Sequence, residues 1–157
     1  MDEVTRVIPS PVGDVVVVAS STGLRRVDFA DGTHRNVARA SSVHLDDAER
    51  QLGEYFSGKR SVFDLVLEPV GTAFQLATWA VLRTIPFGMT ITYGEQARAM
   101  GKPSAVRAVG GANGRNPLAI VVPCHRVVGS DGRLTGYAGG VDRKAWLLAH
   151  EAHVLSL

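Results

Sequence analysis

The chain has 157 residues, of which 45% are hydrophobic and 20% charged, and its formal net charge at neutral pH is +2. This composition is typical of a globular protein, and the length suits one domain or two small ones. No apolar run reaches the roughly 20 residues that a membrane helix needs, and the acidic start, Met1 to Val4, lacks the basic flank of a secretory signal. A lone cysteine excludes an internal disulfide, so we expect a cytoplasmic protein with a free thiol.

Charge is distributed unevenly along the chain. Acidic side chains outnumber basic ones in the first 70 residues, whereas the segment 83–133 has only Glu95 and Asp131 against a run of basic residues. These are Arg83, Arg98, Lys102, Arg107, Arg115, Arg126 and Arg133. Such a segment indicates a polyanionic partner, most commonly nucleic acid, although a solvated surface with a local excess of arginine would give the same pattern.

The first 70 residues predict a small antiparallel sheet with one helix, and they contain no chemical motif. Alternating and β-branched runs bounded by turn residues favour strands. The predicted strands are residues 5–8, 15–19, 24–29 and 63–67. A polar loop is expected over residues 30–42, and apolar spacing with an acidic first turn predicts a helix over 44–57. Residues 69–71 resemble a linker, so we expect two domains, 1–70 and 71–157.

The second half predicts mostly short helices separated by glycines. The predicted helices are residues 72–84, 92–100, 105–111 and 142–150. Residues 118–122, just before the cysteine, are expected to be extended, and Gly129 to Gly132 to form a turn. The second and third helices are joined by Gly101-Lys102-Pro103, with Ser104 as the N-cap of the third. This pair is a helix-turn-helix candidate.

The third helix limits how such a motif could bind DNA. From Ala105 to Gly111 it offers small residues and the single long side chain of Arg107, whereas a major-groove reader presents several long polar side chains. Binding by shape and charge in the minor groove fits these residues better. The alternative is a closely packed helix pair in which Gly110 and Gly111 face a neighbouring element.

The only cysteine, Cys124, lies between Pro123 and His125. A free thiol has a pKa of about 8.5, and a neighbouring histidine can accept its proton while Arg126 stabilises the thiolate. In an extended backbone, however, successive side chains point to opposite faces, so a bend or a bridging water would have to connect Cys124 with His125. A buried, inert cysteine is the alternative.

Several motifs flank this cysteine at fixed spacing. Arg107 to Asn113 and Asn116-Pro117 lie upstream, and Pro123 to Val127 forms the core. The others are Phe74-Gln75, Trp79, Ile85 to Gly88, Thr92 to Glu95, Gly136 to Gly140 and Trp146 to Glu151. Together, over about residues 71–151, these motifs resemble the O6-alkylguanine-DNA alkyltransferase family.

The resemblance implies an α+β fold, with a ribonuclease H-like N-terminal domain and a mostly helical, winged-helix-like C-terminal domain. It implies DNA repair by direct, irreversible transfer of a methyl or larger alkyl group from O6-alkylguanine in duplex DNA, with O4-alkylthymine left open as a substrate. The base would be rotated out of the duplex. A thioether is stable to water and reductants, so each molecule should react once.

The resemblance also implies roles for the site residues. Cys124 would accept the alkyl group, and His125, buttressed by Glu151, would take the thiol proton through a water molecule. Asn116 would tie its turn to the active-site loop. Tyr93 would protonate or hydrogen-bond the leaving guanine and contact the DNA backbone.

Recognition of DNA is implied in the same way. Arg107 would fill the gap left by the rotated base, and Arg126 would be a structural ion-pair partner. The implied DNA contacts are Arg107, Tyr93, Gly94, Lys102, Ala105, Ala108, Gly111 and Ser130. The implied pocket residues are Tyr93, Val127, Val128, Tyr137 and Ala138.

We expect the protein to be a monomer in solution that binds double-stranded DNA, on which several molecules could assemble cooperatively. We expect no cofactor. We also expect no metal, because His34 and His44 alone cannot make a four-ligand site.

Two other functions stay open on the residues alone. A cysteine hydrolase would use Cys124 and His125 on an ester or amide, but the sequence gives no positive sign of an oxyanion hole. A DNA-binding regulator with an incidental cysteine would bind specific sequences, and Cys124→Ser would leave that binding unchanged.

Overall fold

Three antiparallel strands and one helix form the N-terminal unit, Met1–Val70, of the computed structural model, which describes residues 3–30 and 41–157. The strands are β1 (Val4–Ile8), β2 (Val15–Ala19) and β3 (Leu24–Phe29), in the order β1-β2-β3. Helix α1 (Val43–Phe56) begins after Ser42, whose side chain accepts from the Leu45 N–H, and packs on β1 and β2. These strands and this helix confirm the predicted sheet and helix. The loop predicted over 30–42 falls largely on residues 31–40, which lie outside the described residues.

The strand predicted over residues 63–67 is wrong. Only Leu67 pairs, in an isolated parallel bridge to Leu24. The side chain of buried Gln51 instead hydrogen-bonds to the backbone of Asp64. Gln51 Oε1 accepts from the Asp64 N–H and Gln51 Nε2 donates to the Asp64 carbonyl, both at 2.8 Å. Phe63 and Leu65 are half-buried while their neighbours are exposed. The alternation therefore marks a segment lying along the unit's surface, held by a side chain rather than by a strand ladder.

Helices dominate the second unit, Gly71–Leu157. They are α2 (Ala73–Leu82), α3 (Tyr93–Ala99), α4 (Val106–Gly114) and α5 (Val141–Leu155). A 3₁₀ turn, Cys124–Arg126, leads into β5 (Val127–Val128), which pairs in parallel with β4 (Ile91–Thr92). No helix in the described part of the chain is both long and apolar enough to cross a membrane.

The predicted helix-turn-helix consists of α3 and α4. Helix α3 begins with a capping box of Thr92 and Glu95, and it ends where Gly101 takes a φ of +71° and the Lys102 N–H donates to the Ala97 carbonyl at 3.0 Å. The prediction of Ser104 as N-cap of α4 is wrong. Residues 102–105 form a turn in which the Ala105 N–H donates to the Lys102 carbonyl, so the helix begins one residue later than predicted. Its N-cap is Ala105, whose side chain makes no capping hydrogen bond.

The segment before the cysteine is compact, not extended as predicted. Ile120 has a φ of +71°, and the Val121 N–H donates to the Ala119 carbonyl at 2.8 Å. Positive φ is rare for a β-branched residue and requires support from its surroundings. Here the chain reverses direction tightly, and the reversal places Val122 over Leu118, to whose carbonyl its N–H donates at 2.9 Å.

Helix α5 is longer than predicted, and its buried face is not the one that its apolar residues Ala145, Leu148 and Ala149 would predict. It runs to Leu155 rather than ending near His150. Its buried side chains are Lys144, Leu147 and Glu151. Spacing of apolar residues cannot find this face, because two of its three members are charged.

Candidate active site

Cys124 opens the 3₁₀ turn, and its side chain is 8% exposed. The Cys124 N–H donates to the Val122 carbonyl at 2.9 Å, and the Arg126 N–H donates to the Pro123 carbonyl at 3.0 Å. The backbone here is therefore tightly turned rather than extended. All three residues of the turn, Cys124, His125 and Arg126, are buried.

Asn116 holds the loop that carries this cysteine. Its Nδ2 donates to the Val122 carbonyl at 2.8 Å, and its Oδ1 accepts from the Leu118 N–H at 3.0 Å. One side chain thus supports both ends of the reversal at Ile120. The structure places Asn116 beside the thiol as well, where its side chain acts to lower the pKa of Cys124.

His125 is fully buried and donates from Nε2 to Glu151 Oε2 at 2.7 Å. Burial lowers the pKa of His125 below its ordinary value, and the Glu151 carboxylate only opposes this shift. The imidazole is therefore neutral. A carboxylate can only accept, so the proton is on Nε2 and Nδ1 keeps its lone pair. Nδ1 is buried and has no hydrogen-bond partner among the described residues. This nitrogen is a base within the active-site turn.

Glu151 gathers four donors. Arg126 Nε donates to Oε1 at 2.9 Å and Arg126 Nη2 to Oε2 at 3.0 Å, while the Gly88 N–H donates to Oε1 at 2.9 Å. His125 is the fourth. Burial would raise the pKa of Glu151, but hydrogen bonds from His125 and Arg126 lower it well below its usual range. The carboxylate stays ionised and acts as a fixed acceptor for its neighbours.

Arg126 and Gly88 complete this buried cluster. Arg126 Nη1 donates to the Ile85 carbonyl at 2.7 Å, and its guanidinium lies 5.7 Å from the Phe87 ring centroid. Gly88 has a φ of +79°, and a Cβ there would collide with Leu155. Sequence reasoning assigned no role to Gly88. The turn Pro86-Phe87-Gly88 was its only signal.

Lys144 is the main site residue that sequence reasoning missed. It is fully buried on α5, and its Nζ donates to the Thr135 carbonyl at 2.9 Å. Burial raises the pKa of the Cys124 thiol, while Asn116 and the Lys144 charge act in the opposite direction. Burial in turn lowers the pKa of Lys144. A lysine on an amphipathic helix is usually solvated, so only the fold could reveal this one.

Tyr93, at the start of α3, reaches the same carbonyl as Lys144. Its hydroxyl donates to Thr135 O at 3.1 Å, and Lys144 Nζ lies 5.7 Å from its ring centroid. Burial raises the pKa of Tyr93, so the phenol keeps its proton at neutral pH. A Cβ on Gly136 would lie 3.6 Å from this hydroxyl. The loop after the cysteine is therefore anchored to both α3 and α5.

The other predicted pocket residues divide into two groups. Val127 and Val128 form β5, directly after the 3₁₀ turn, and both are buried. Tyr137 is half-buried and Ala138 exposed, in the loop that Thr135 anchors. The predicted pocket residues thus come from a buried strand and from a more exposed loop.

Most of the predicted DNA contacts belong to the helix-turn-helix, and several of them are exposed. Arg107, Ala108 and Gly111 are exposed on α4, with nothing within 4 Å of the position of a Cβ on Gly111. Gly110, by contrast, faces the ring of Tyr93, 3.9 Å from the nearest ring atom. The remaining contacts are exposed Lys102 and Ser130 and half-buried Gly94 and Ala105. Gly110 therefore suits a packed helix pair, whereas Gly111 leaves α4 open to a partner.

Metal ligands are not grouped in the described part of the chain. Residues 3–30 and 41–157 contain no cluster of three or more His, Cys, Asp or Glu side chains that could hold an ion. His44 belongs to these residues, whereas His34 lies outside them.

Comparison with known proteins gave matches over nearly the whole chain. A family model described as the DNA-binding domain of 6-O-methylguanine DNA methyltransferase matches residues 73–153, and one described as its ribonuclease-like domain matches residues 4–69. A methylated-DNA–protein-cysteine methyltransferase of Methanosarcina barkeri is 49% identical over 153 residues, which cover 95% of this chain and 97% of that protein. One of the same name from Shigella flexneri is 43% identical, with coverage of 94% and 95%.

Solved structures agree with these matches. The O6-methylguanine methyltransferase of Mycobacterium tuberculosis superposes with a TM-score of 0.87 at 41% identity, covering 97% of this chain and 94% of that one. A structure of the M. tuberculosis protein in complex with DNA has a TM-score of 0.87 at 43% identity, with coverage of 96% and 93%.

Proposed function

The chain belongs to the family of 6-O-methylguanine DNA methyltransferases, and we propose that it repairs O6-alkylguanine by moving the alkyl group irreversibly to Cys124. The observation that carries this assignment to particular residues is the neutral His125, whose Nε2 is occupied by Glu151 and whose Nδ1 is an unpartnered base among the described residues. A buried thiol and a poised base in one turn suit a nucleophile that ionises only when substrate arrives.

The reaction forms one bond and breaks one. Sγ of Cys124 attacks the alkyl carbon in line with O6, so the S–C bond forms as the C–O6 bond breaks. The thiol proton passes to Nδ1 of His125 through a water molecule, and the leaving guanine takes up one proton, for which Tyr93 is the donor. The proton count closes once His125 releases the proton it accepted and Tyr93 takes one up through solvent, so that overall the thiol loses one proton and guanine gains one.

Nothing regenerates the thiol after transfer. Hydrolysis or reduction of a thioether would need a reagent that the reaction does not supply. Each molecule therefore reacts once, as a monomer, and the amount of protein limits the amount of repair. A reducing cytoplasm suits this chemistry, because it keeps the single thiol from oxidation.

The position of the alkyl group decides how DNA must bind. O6 of guanine is stacked inside the duplex, so the base has to rotate outward at a cost of a few kcal/mol. Small residues on α4, such as Ala108 and Gly111, permit close approach in the minor groove, and Arg107 is long enough to fill the vacated stack. Exposed Lys102 would contact phosphate, so the affinity should fall with salt. Val127, Val128, Tyr137 and Ala138 would then line the pocket, and Ser130 would lie near the backbone.

Mass spectrometry after incubation with an O6-methylguanine duplex tests the proposal. We expect one methyl adduct, on Cys124, that saturates at one per chain even with excess DNA. Cys124→Ser should form no adduct while still binding the duplex. A folded wild-type chain without an adduct, or an adduct on another residue, would refute the assignment. Turnover of an ester in many-fold excess would favour a hydrolase.

A further inference from the structure

Two buried amides connect the helices of the helix-turn-helix. Gln96 Nε2 donates to Asn113 Oδ1 at 2.9 Å, and Asn113 Nδ2 donates to Gln96 Oε1 at 2.7 Å. Gln96 is fully buried and Asn113 is 4% exposed. Gln96 Nε2 also lies 3.3 Å from the Thr78 carbonyl of α2, so this one side chain of α3 contacts both α2 and α4. Neither residue contacts the thiol or its base, and the mechanism above does not use them.

Helix α4 depends on such contacts for its direction. It begins at Ala105 without a side-chain cap, and Gly110, Gly111 and Gly114 make it a weak helix by composition. Its side-chain hydrogen bonds lie near its C-terminal end. Trp79 Nε1 donates to the Ala112 carbonyl at 2.8 Å, and Asn113 binds Gln96. The half of α4 that carries exposed Arg107 packs without such bonds, with Val109 buried and Gly110 facing the Tyr93 ring.

The paired amides couple the two residues that meet the damaged nucleotide. Gln96 lies one turn after Tyr93 on α3, and Asn113 lies six residues after Arg107 on α4. A helix rises about 1.5 Å per residue, so Arg107 lies about 9 Å from Asn113, and a tilt of about 10° at the anchor would move it by about 1.5 Å. A displacement of that size is enough to impair a reaction that depends on positioning.

Stability alone does not account for an amide pair here. Replacing both partners of a buried hydrogen bond by apolar groups of the same shape is close to neutral. Reciprocal hydrogen bonds also fix one angle and one axial position of α4 relative to α3, which apolar contacts between small residues do not define. We propose that Gln96 and Asn113 are positioning residues that set the angle of α4, and thereby the entry of Arg107 into the duplex. This inference rests on the proposed function.

The test compares an apolar pair with a re-formed pair. Gln96→Met with Asn113→Leu keeps the shape and removes the hydrogen bonds. We expect it to react with free O6-benzylguanine within about twofold of wild type, and to repair O6-methylguanine in duplex DNA about tenfold more slowly or worse. Gln96→Asn with Asn113→Gln keeps the combined side-chain length and should restore duplex repair. An unchanged duplex rate in the apolar pair, or equal losses on both substrates, would overturn the inference.

A second measurement asks whether the pair acts through Arg107. In an Arg107→Ala background the apolar pair should cause no further loss of duplex repair, and additive losses would overturn the proposal. If this apolar pair does not fold, the same rates are measured on Gln96→Leu with Asn113→Met, which also replaces both amides and leaves no buried amide unpaired. A wild-type chain that forms no adduct would refute the proposed function, whereas an active wild type beside an equally active variant would refute only the positioning role.

Discussion

Nε2 of His125 lies 2.7 Å from Oε2 of Glu151, and both side chains are fully buried although 26 positions separate them. This contact fixes the tautomer of the imidazole and leaves Nδ1 as its basic nitrogen. It also joins α5 to the 3₁₀ turn of the cysteine. We therefore expect catalysis by the second unit and its stability to depend on the same carboxylate.

Glu151→Gln is expected to impair both catalysis and the stability of the second unit. It replaces an acceptor of four hydrogen bonds by a neutral amide and leaves the Arg126 charge buried without a counter-ion. Removing one partner of a buried ion pair costs about 3–5 kcal/mol, and we expect the free energy of unfolding to fall by that amount. Urea unfolding and the rate of adduct formation would measure the two effects. Asp142→Asn, an exposed carboxylate in the first turn of α5, is the control and should change the free energy of unfolding by less than about 1 kcal/mol.

Stability should decline in acid in two stages. The pKa values of His125 and Glu151 are both lowered in the folded chain, so the unfolded chain binds protons more readily. The two groups contribute fully to the free energy of unfolding above about pH 6.5. As the pH falls, this contribution is lost first by protonation of His125 and then, below about pH 4.3, by protonation of Glu151. Urea unfolding across this range would measure the decline, which should be smaller below about pH 4.3 in Glu151→Gln. A wild-type free energy of unfolding that stays constant down to about pH 4 would contradict the prediction.

Arg107→Ala should separate reaction from DNA recognition. The side chain is exposed and is not among the hydrogen-bond partners of His125 and Glu151, so the rate with free O6-benzylguanine should be unchanged. Repair of duplex DNA should fall by at least about tenfold, because the vacated stack loses its filler. Lys102→Ala is the matched control. It should weaken binding of any duplex and lower the slope of log affinity against log salt by about one. Equal loss on free base and duplex would show that Arg107 does not enter the stack.

Lys144→Met should make the thiol harder to ionise. Burial raises the pKa of Cys124, and the Lys144 charge opposes that shift, so removing the charge should raise the thiol pKa further. The pH dependence of carboxamidomethylation by iodoacetamide would then move to higher pH, and adduct formation at neutral pH would slow. Lys102→Met removes an exposed charge and should leave the profile in place. An unchanged profile in Lys144→Met would show that the ammonium does not act on the thiol.

Local chemistry explains which predictions succeeded. The strands at Val15–Ala19 and Leu24–Phe29 follow from β-branched and alternating residues, and the end of α3 follows from Gly101. These features depend on dihedral preferences and on neighbours within about four positions, which sequence displays directly. The strand expected over 63–67 failed because its pattern records half-burial, while the side chain of Gln51 took the place of a strand partner.

By itself the sequence determined most of the helices and strands, the cysteine with its adjacent histidine, and the one long basic side chain on a helix of small residues. Only the tertiary structure decided which distant groups meet. The chain reversal at Ile120 gives a β-branched residue a positive φ that only its surroundings support. The ammonium of Lys144, the carboxylate of Glu151 and the amide pair of Gln96 and Asn113 are polar groups that are nevertheless buried. Polar groups are buried only where the fold supplies partners, and pairing across many residues leaves no periodic trace in the chain.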